Sequence, residues 1–170
     1  KDTFHTKYIH SKIGRTNLNL VTCLIVQNVS IEEGCMLKFV DLFCGGGLGA
    51  RGAVKAGATP ILAVDAWQLA ASTYKSNFPS AEVICSPIED LDPIELAKKY
   101  KPDVLLTSPE CTSHSIARGA KPGCELSKET AIGIIPWIET MKPRWLIVEN
   151  VNRMKKWGRH QELVSAIESY

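Results

Sequence analysis

The sequence predicts an α/β fold, a doubly wound and mostly parallel sheet with helices on both faces. Three observations predict it. From residue 37 onward, short apolar runs alternate with helix-period segments. The first run stops abruptly in four glycines within five residues, Gly45, Gly46, Gly47 and Gly49. Residues able to do chemistry then recur at or just past the ends of later runs: Asp65, Cys111 and Glu149. Open sheets of this kind bind ligands at the carboxyl ends of their strands.

The elements follow in order. A first strand covers about 37–43, and a helix runs from about Gly47 to Ala56, with Gly57 as its stop signal. The second strand is Pro60 to Asp65. The next helix spans about Trp67 to Asn77 and is ended by Phe78-Pro79. Glu82 to Cys85 form a third strand, followed by a short helix around Pro93 to Tyr100. The fourth strand is Asp103 to Thr107, and a long polar loop, Ser108 to Leu126, follows it. A helix over about Lys128 to Met141, a fifth strand from Trp145 to Glu149 and a last helix from near His160 complete the pattern.

Residues 1–35 are harder to read. They hold one β-like run, Leu18 to Val26, that alternates only at its start. Met36 looks like a natural start for the domain, so the expected division is an N-terminal extension over 1–35 and a domain over 36–170.

Apolar residues make up 45% of the chain and charged residues 22%, which fits a globular protein with a real core. No apolar run is long enough to cross a membrane, and no signal peptide is visible. None of the six cysteines forms a Cys-x-x-Cys pair, so no metal site is expected, and the protein reads as intracellular. Cys44 and Cys85 read as small buried hydrophobes. The net charge of +2 does not announce nucleic acid, but Lys142, Arg144, Arg153, Lys155, Lys156 and Arg159 cluster in one span. That span is either a phosphate-facing patch or a solvated helix face.

Each candidate residue has two readings. Glycines let the first turn take positive φ and leave room for a ligand before a helix N-terminus. Asp65, 18 residues after Gly47, either accepts ribose hydroxyls or caps the next helix. Trp67 either stacks on a purine or anchors the first helical turn. Gly47-Leu48-Gly49-Ala50-Arg51-Gly52 also fits the dinucleotide pattern Gly-x-Gly-x-x-Gly, which keeps a nicotinamide oxidoreductase open. Cys111, just past the fourth strand, is a reachable thiol. Glu149, ending an apolar strand, is either a proton donor of raised pKa or an ion-pair partner of Arg153.

Taken together, three motifs resemble the S-adenosylmethionine-dependent C5-cytosine-specific DNA methyltransferases. Asp41-Leu42-Phe43-Cys44-Gly45-Gly46-Gly47 is similar to the family's cofactor loop, Pro109-Glu110-Cys111 to its Pro-Cys nucleophile motif, and Glu149-Asn150-Val151 to its Glu-Asn-Val motif. The resemblance implies a class I methyltransferase, Rossmann-like, and covers about Leu37 to Tyr170. It implies a cofactor site of Asp41, Phe43, Cys44, Gly45, Gly46, Gly47, Asp65, Ala66, Trp67, Ser86, Ile88 and Ser108. Phe43 would pack on the adenine, the backbone from Cys44 to Gly47 would hold the methionine part, and Asp65 would bind the ribose. Cys111 would add to C6 of cytosine, Glu149 would hydrogen-bond N3 and the exocyclic amine, and Asn150 would shape the loop carrying Cys111. The partner implied is double-stranded DNA with a flipped cytosine, its backbone met by Ser115, Arg118, Lys121 and Arg153.

The sequence departs from the family in places. Leu48 stands where a glycine usually follows Gly47, and Ser86-Pro87-Ile88 lacks the acidic residue expected for the adenine amine. Glu110 and Thr112 flank the nucleophile in place of proline and glutamine. The family's later strands and its target-recognition domain have no counterpart. The expectation is therefore the N-terminal catalytic part of such an enzyme, incomplete at the C-terminus, with a missing half or second subunit as partner. An RNA cytosine methyltransferase and a non-catalytic methyltransferase-like subunit are the alternatives within the fold.

Overall fold

A computed structural model describes residues 7–10, 22–27, 36–109, 130–150 and 157–169, the first two stretches as backbone. Seven strands form one sheet: β1 (Lys7–His10), β2 (Thr22–Gln27), β3 (Lys38–Leu42), β4 (Thr59–Asp65), β5 (Glu82–Cys85), β6 (Val104–Thr107) and β7 (Trp145–Asn150). Their order is β1-β2-β7-β6-β3-β4-β5. The block from β5 to β7 is parallel, and β2 and β1 add to it antiparallel. The order reverses between β3 and β6, as it does in a doubly wound sheet.

The described helices are α1 (Leu48–Lys55), α2 (Gln68–Asn77), α3 (Pro93–Lys99), α4 (Ile135–Met141) and α5 (His160–Glu168). Strand side chains alternate between faces, so two cores form. On one face Phe39, Ala63, Val104 and Leu106 meet Ala50 of α1 and Tyr74 of α2. On the other Val40, Leu62, Leu105 and Val148 meet Trp137 and Ile138 of α4 and Leu163 and Ile167 of α5.

The helix expected over about 128–141 is shorter within the described residues. A 3-10 turn at Ile132–Ile134 precedes α4, and Pro136 stands in its first turn. Proline has no N–H for an i→i−4 bond, so a helix starts there more readily than it runs through. Lys128 lies outside the described residues. The sheet also runs across the boundary expected at residue 36. All six residues of β2 pair with β7. The β-like run at Leu18 to Val26 thus contains most of a real strand, whereas β1 gave no readable signal.

Asp103 ties the amino ends of three strands together. Its carboxylate accepts from Lys38 N at 2.9 Å and pairs with Arg144 at 3.6 Å, and its carbonyl accepts from Trp145 N at 2.9 Å. Fixing this end leaves the opposite, carboxyl edge free for a site.

Candidate active site at the carboxyl edge

The turn after β3 is built on unusual backbone. Phe43, Gly45 and Gly47 all have positive φ, at 57°, 52° and 88°. At Gly47 a side chain is excluded twice over, since an added Cβ would lie 2.5 Å from Phe78 Cε2. Gly47 N closes the turn on Cys44 O at 3.0 Å, and Asn77 Nδ2 of α2 donates to Gly46 O at 2.9 Å. Above Gly45 nothing lies within 4 Å of a Cβ, so that side of the turn is open. A pocket of about 460 Å³ adjoins it, lined by Gly46, Gly47, Leu48, Arg51, Asn77 and Phe78. Neither Asp65 nor Trp67 lines this pocket, which lies on the α1–α2 flank of the turn.

Leu48 fits without strain. It begins α1, is 90% exposed and points away from the packed side of the turn. Gly49 and Gly52, the other glycines of the dinucleotide pattern, lie inside α1 rather than in the turn. Gly52 has nothing within 4 Å of an added Cβ, so close helix–strand packing does not require it.

Asp65 ends β4 and serves both readings in part. Its Oδ2 accepts from Gly45 N and its Oδ1 from Trp67 N, each at 2.8 Å. It therefore fastens the glycine turn to the start of α2, and each oxygen keeps a lone pair for a hydroxyl donor. Trp67 is 65% exposed, so it does not anchor the helix by burial, and Ala66 beside it is also exposed. Phe43 is half-buried against the core.

Two residues expected at the cofactor have buried side chains. Asp41 is buried under the turn, 2% exposed, beside Tyr74 and near Asp65. Burial pushes its carboxyl up to about 8. The Tyr74 hydroxyl facing it opposes the shift, although the two make no hydrogen bond of good geometry, and Asp65 adds to it. Ile88 is packed into the core, against Gly133. In both cases the side chain packs beneath the site. Ser86, half-buried, remains at the edge, its N–H donating to Asp65 O at 3.1 Å.

The Cys44 thiol is buried and its pKa raised, chiefly by desolvation. Cys85, expected buried, is exposed at the end of the short outer strand β5.

Strands β6 and β7 run parallel with Thr107 opposite Val148. The next pair in that register is Ser108 beside Glu149, and the next is Pro109 beside Asn150. Both are in contact. Asn150, 4% exposed, donates from Nδ2 to Pro109 O at 2.9 Å. Glu149 is half-buried and burial holds its carboxyl above the usual range, with the Ser108 hydroxyl opposing. Ser108 N donates in turn to Leu42 O at 3.2 Å, which joins this corner to the glycine turn. The edge thus runs Ser86, Asp65, Phe43 to Gly47, Ser108-Pro109, Glu149-Asn150.

Cys111, Ser115, Arg118, Lys121 and Arg153 lie outside the described residues. Of the basic cluster, Arg144 pairs with Asp103 and Arg159 with Glu162 at 2.6 Å, so these two are tied within the fold rather than presented as a patch. Among the described residues no three His, Cys, Asp or Glu side chains group as a metal site, and no helix is long and apolar enough to cross a membrane.

Residues 37–169 match the model of the C-5 cytosine-specific DNA methylases. The chain belongs to that family. Its methyl donor is S-adenosylmethionine, and the open turn, the Asp65 carboxylate and the exposed Trp67 fit such a group. The family assignment leaves the nicotinamide alternative without support. The type II methyltransferase M.HgiGI of Herpetosiphon aurantiacus is 32% identical over 74% of this chain and 99% of its own length. M.HgiDI from the same organism is 30% identical over 77% of this chain. A prophage-encoded E. coli protein, described as a DNA modification methyltransferase, shares the fold with a TM-score of 0.67 at 22% identity, over 78% of this chain. The matched part is 42% of M.HgiDI and 38% of the E. coli protein, so this methylase spans less than half the length of those two.

Proposed function

We propose that this chain carries the cofactor site and the nucleophile of a DNA cytosine C5-methyltransferase that works through a covalent cysteine adduct. The observation that carries this reading is the corner between β6 and β7. There the Asn150 amide grips Pro109 two residues before Cys111, beside a Glu149 carboxyl held above its usual range.

Bound S-adenosylmethionine supplies an electrophilic methyl group for C5 of the base. The glycine turn and Asp65 would hold it, with Phe43 at the adenine and Ala66, Trp67, Ser86 and Ser108 around it. Asp41 and Ile88 support the site from below.

The Cys111 thiolate adds to C6 of cytosine as protonated Glu149 gives its proton to N3, so the ring electrons move towards C5. After methylation, loss of the C5 proton to solvent restores the double bond and expels Cys111. N3 then returns its proton to Glu149. Splitting one difficult substitution into addition and elimination is the gain of covalent catalysis. The base must leave the duplex stack to be reached, at roughly a few kcal/mol. On this reading Ser115, Arg118, Lys121 and Arg153 meet the DNA backbone. Target-sequence reading comes from a further part of the protein or a second subunit.

The test is methyl transfer from labelled S-adenosylmethionine by the full-length protein, offered duplex DNA and RNA. We expect label at cytosine C5 in DNA, reduced about 10²-fold or more by Glu149→Gln, in the range lost with a general acid. Label confined to RNA, or an unchanged rate in the variant, would contradict the proposal.

A further inference from the structure

The edge of the sheet opposite the active site carries a row of cations. Strands β4, β3, β6 and β7 begin level with one another, with Lys38 opposite Thr59, Phe39 opposite Val104 and Val104 opposite Trp145. A lysine stands at each of these starts. Lys55 lies in the last turn of α1 before β4, Lys38 opens β3, Lys101 precedes β6 and Lys142 precedes β7. All four are exposed. Neighbouring strands lie about 4.8 Å apart, so the four starts span about 14 Å in one line.

The carboxylates near this edge are largely taken by other cations. Asp103 pairs with Arg144 at 3.6 Å, Glu82 with Lys99 at 2.6 Å and Glu95 with Lys98 at 2.5 Å. Glu139, exposed in α4, is the one left over among the described residues. None of the four lysines has an ion-pair partner among those residues. The dipole of a helix end favours cations and accounts for Lys55, but Lys38 opens a strand instead. Lys142 holds a left-handed backbone, φ 46° and ψ 55°, at the C-cap of α4, where glycine is the common residue. Strain kept at an exposed charged residue points to a use for the charge.

We propose that this amino edge is a second DNA-binding surface, on which the four lysines meet the phosphate backbone of a duplex other than the one at the catalytic corner. DNA is the favoured polyanion because the chain belongs to a family of DNA methylases. Unpaired bases would need an aromatic platform, and the exposed aromatic side chain among the described residues, Trp67, is at the other edge. Met36 is the large apolar side chain exposed near the row, which is little anchorage for a membrane. Duplex DNA is stiff over about 150 base pairs, so a short duplex does not wrap from one edge to the other.

The test mixes the full-length protein with two pools of one short duplex, carrying donor and acceptor dyes. We expect both dyes on one protein, seen as energy transfer, and a log–log salt slope for the second duplex of about −3 to −4, as four phosphate contacts give. The variant K38Q/K55Q/K101Q/K142Q should weaken the second binding by tenfold or more and flatten its slope, while the first duplex and S-adenosylhomocysteine bind as in the parent. Glu139→Gln should tighten the second binding. Because duplex binding is read directly, failure of the covalent mechanism would leave this result standing. A single duplex on the parent, a second duplex that survives in the quadruple variant, or a preference of the row for RNA or anionic lipid vesicles over DNA overturns the proposal.

Discussion

At the scale of single residues, position in the edge decides what a side chain can do. Asp41 belongs to the cofactor motif in sequence, yet it lies under the turn with a carboxyl pushed up to about 8. Its ordinary value is 3.8. Below that value folded and unfolded chains both hold the proton. As pH rises from there to 8, the unfolded chain releases its proton while the native one keeps it, so stability falls, by up to about 1.4 kcal/mol per pH unit. Asp41→Asn should remove that slope. In urea unfolding at pH 5 and pH 8, the variant should gain on the parent by a few kcal/mol; a difference that stays constant with pH would speak against a buried neutral carboxyl. Glu149 is raised in the same direction, by burial, and acts in its protonated form on our reading. Methyl transfer should therefore weaken as pH rises through its folded pKa, and an alkaline limb that persists unchanged in Glu149→Gln would assign that limb elsewhere. The raised carboxyl of Glu149 was legible because a carboxyl at the end of an apolar strand is costly to place there. The burial of Asp41 was not, because alternation along a strand buried on both faces does not say which residues lie beneath a loop.

At the scale of elements, the strand–turn–helix unit from β3 to α1 was the most readable. Glycine is demanded at Gly47 by backbone and by space together. Gly47→Ala should cost about 1–2 kcal/mol for the left-handed conformation alone, with more from the contact with Phe78. Thermal unfolding should show the loss, and calorimetry with S-adenosylhomocysteine should show weakened binding. Gly52→Ala, in open space within α1, should be tolerated or slightly stabilising by helix propensity. Equal effects of the two would mean that the turn does not shape the site. Strands β3, β4, β5 and β7 lie within a residue or two of where apolar runs and glycine or proline signals put them. The start of α4 was misread, because helical periodicity runs on through residues where Pro136 sets the boundary. β1 was missed because a four-residue strand of mixed polarity has no period to detect.

At the scale of the molecule, long-range pairing gathers sequence-distant motifs onto one edge. Leu42 opposite Thr107 and Thr107 opposite Val148 bring the glycine turn, the Pro109 loop and Glu149 side by side. This adjacency was legible from strand order in doubly wound sheets. The place of residues 22–27 was not, since nothing local in an antiparallel strand names its partner. Asn150 holds Pro109, two residues before Cys111 in the sequence, at this edge. The most direct measurement of the central claim is adduct trapping. The full-length protein is incubated with S-adenosylmethionine and duplex DNA carrying 5-fluorocytosine at the target, which blocks the loss of the C5 substituent that releases the enzyme. We predict a denaturation-resistant protein–DNA adduct whose modified peptide contains Cys111, and no adduct with Cys111→Ala. Absence of an adduct in the parent, or an adduct that survives Cys111→Ala, would contradict the account.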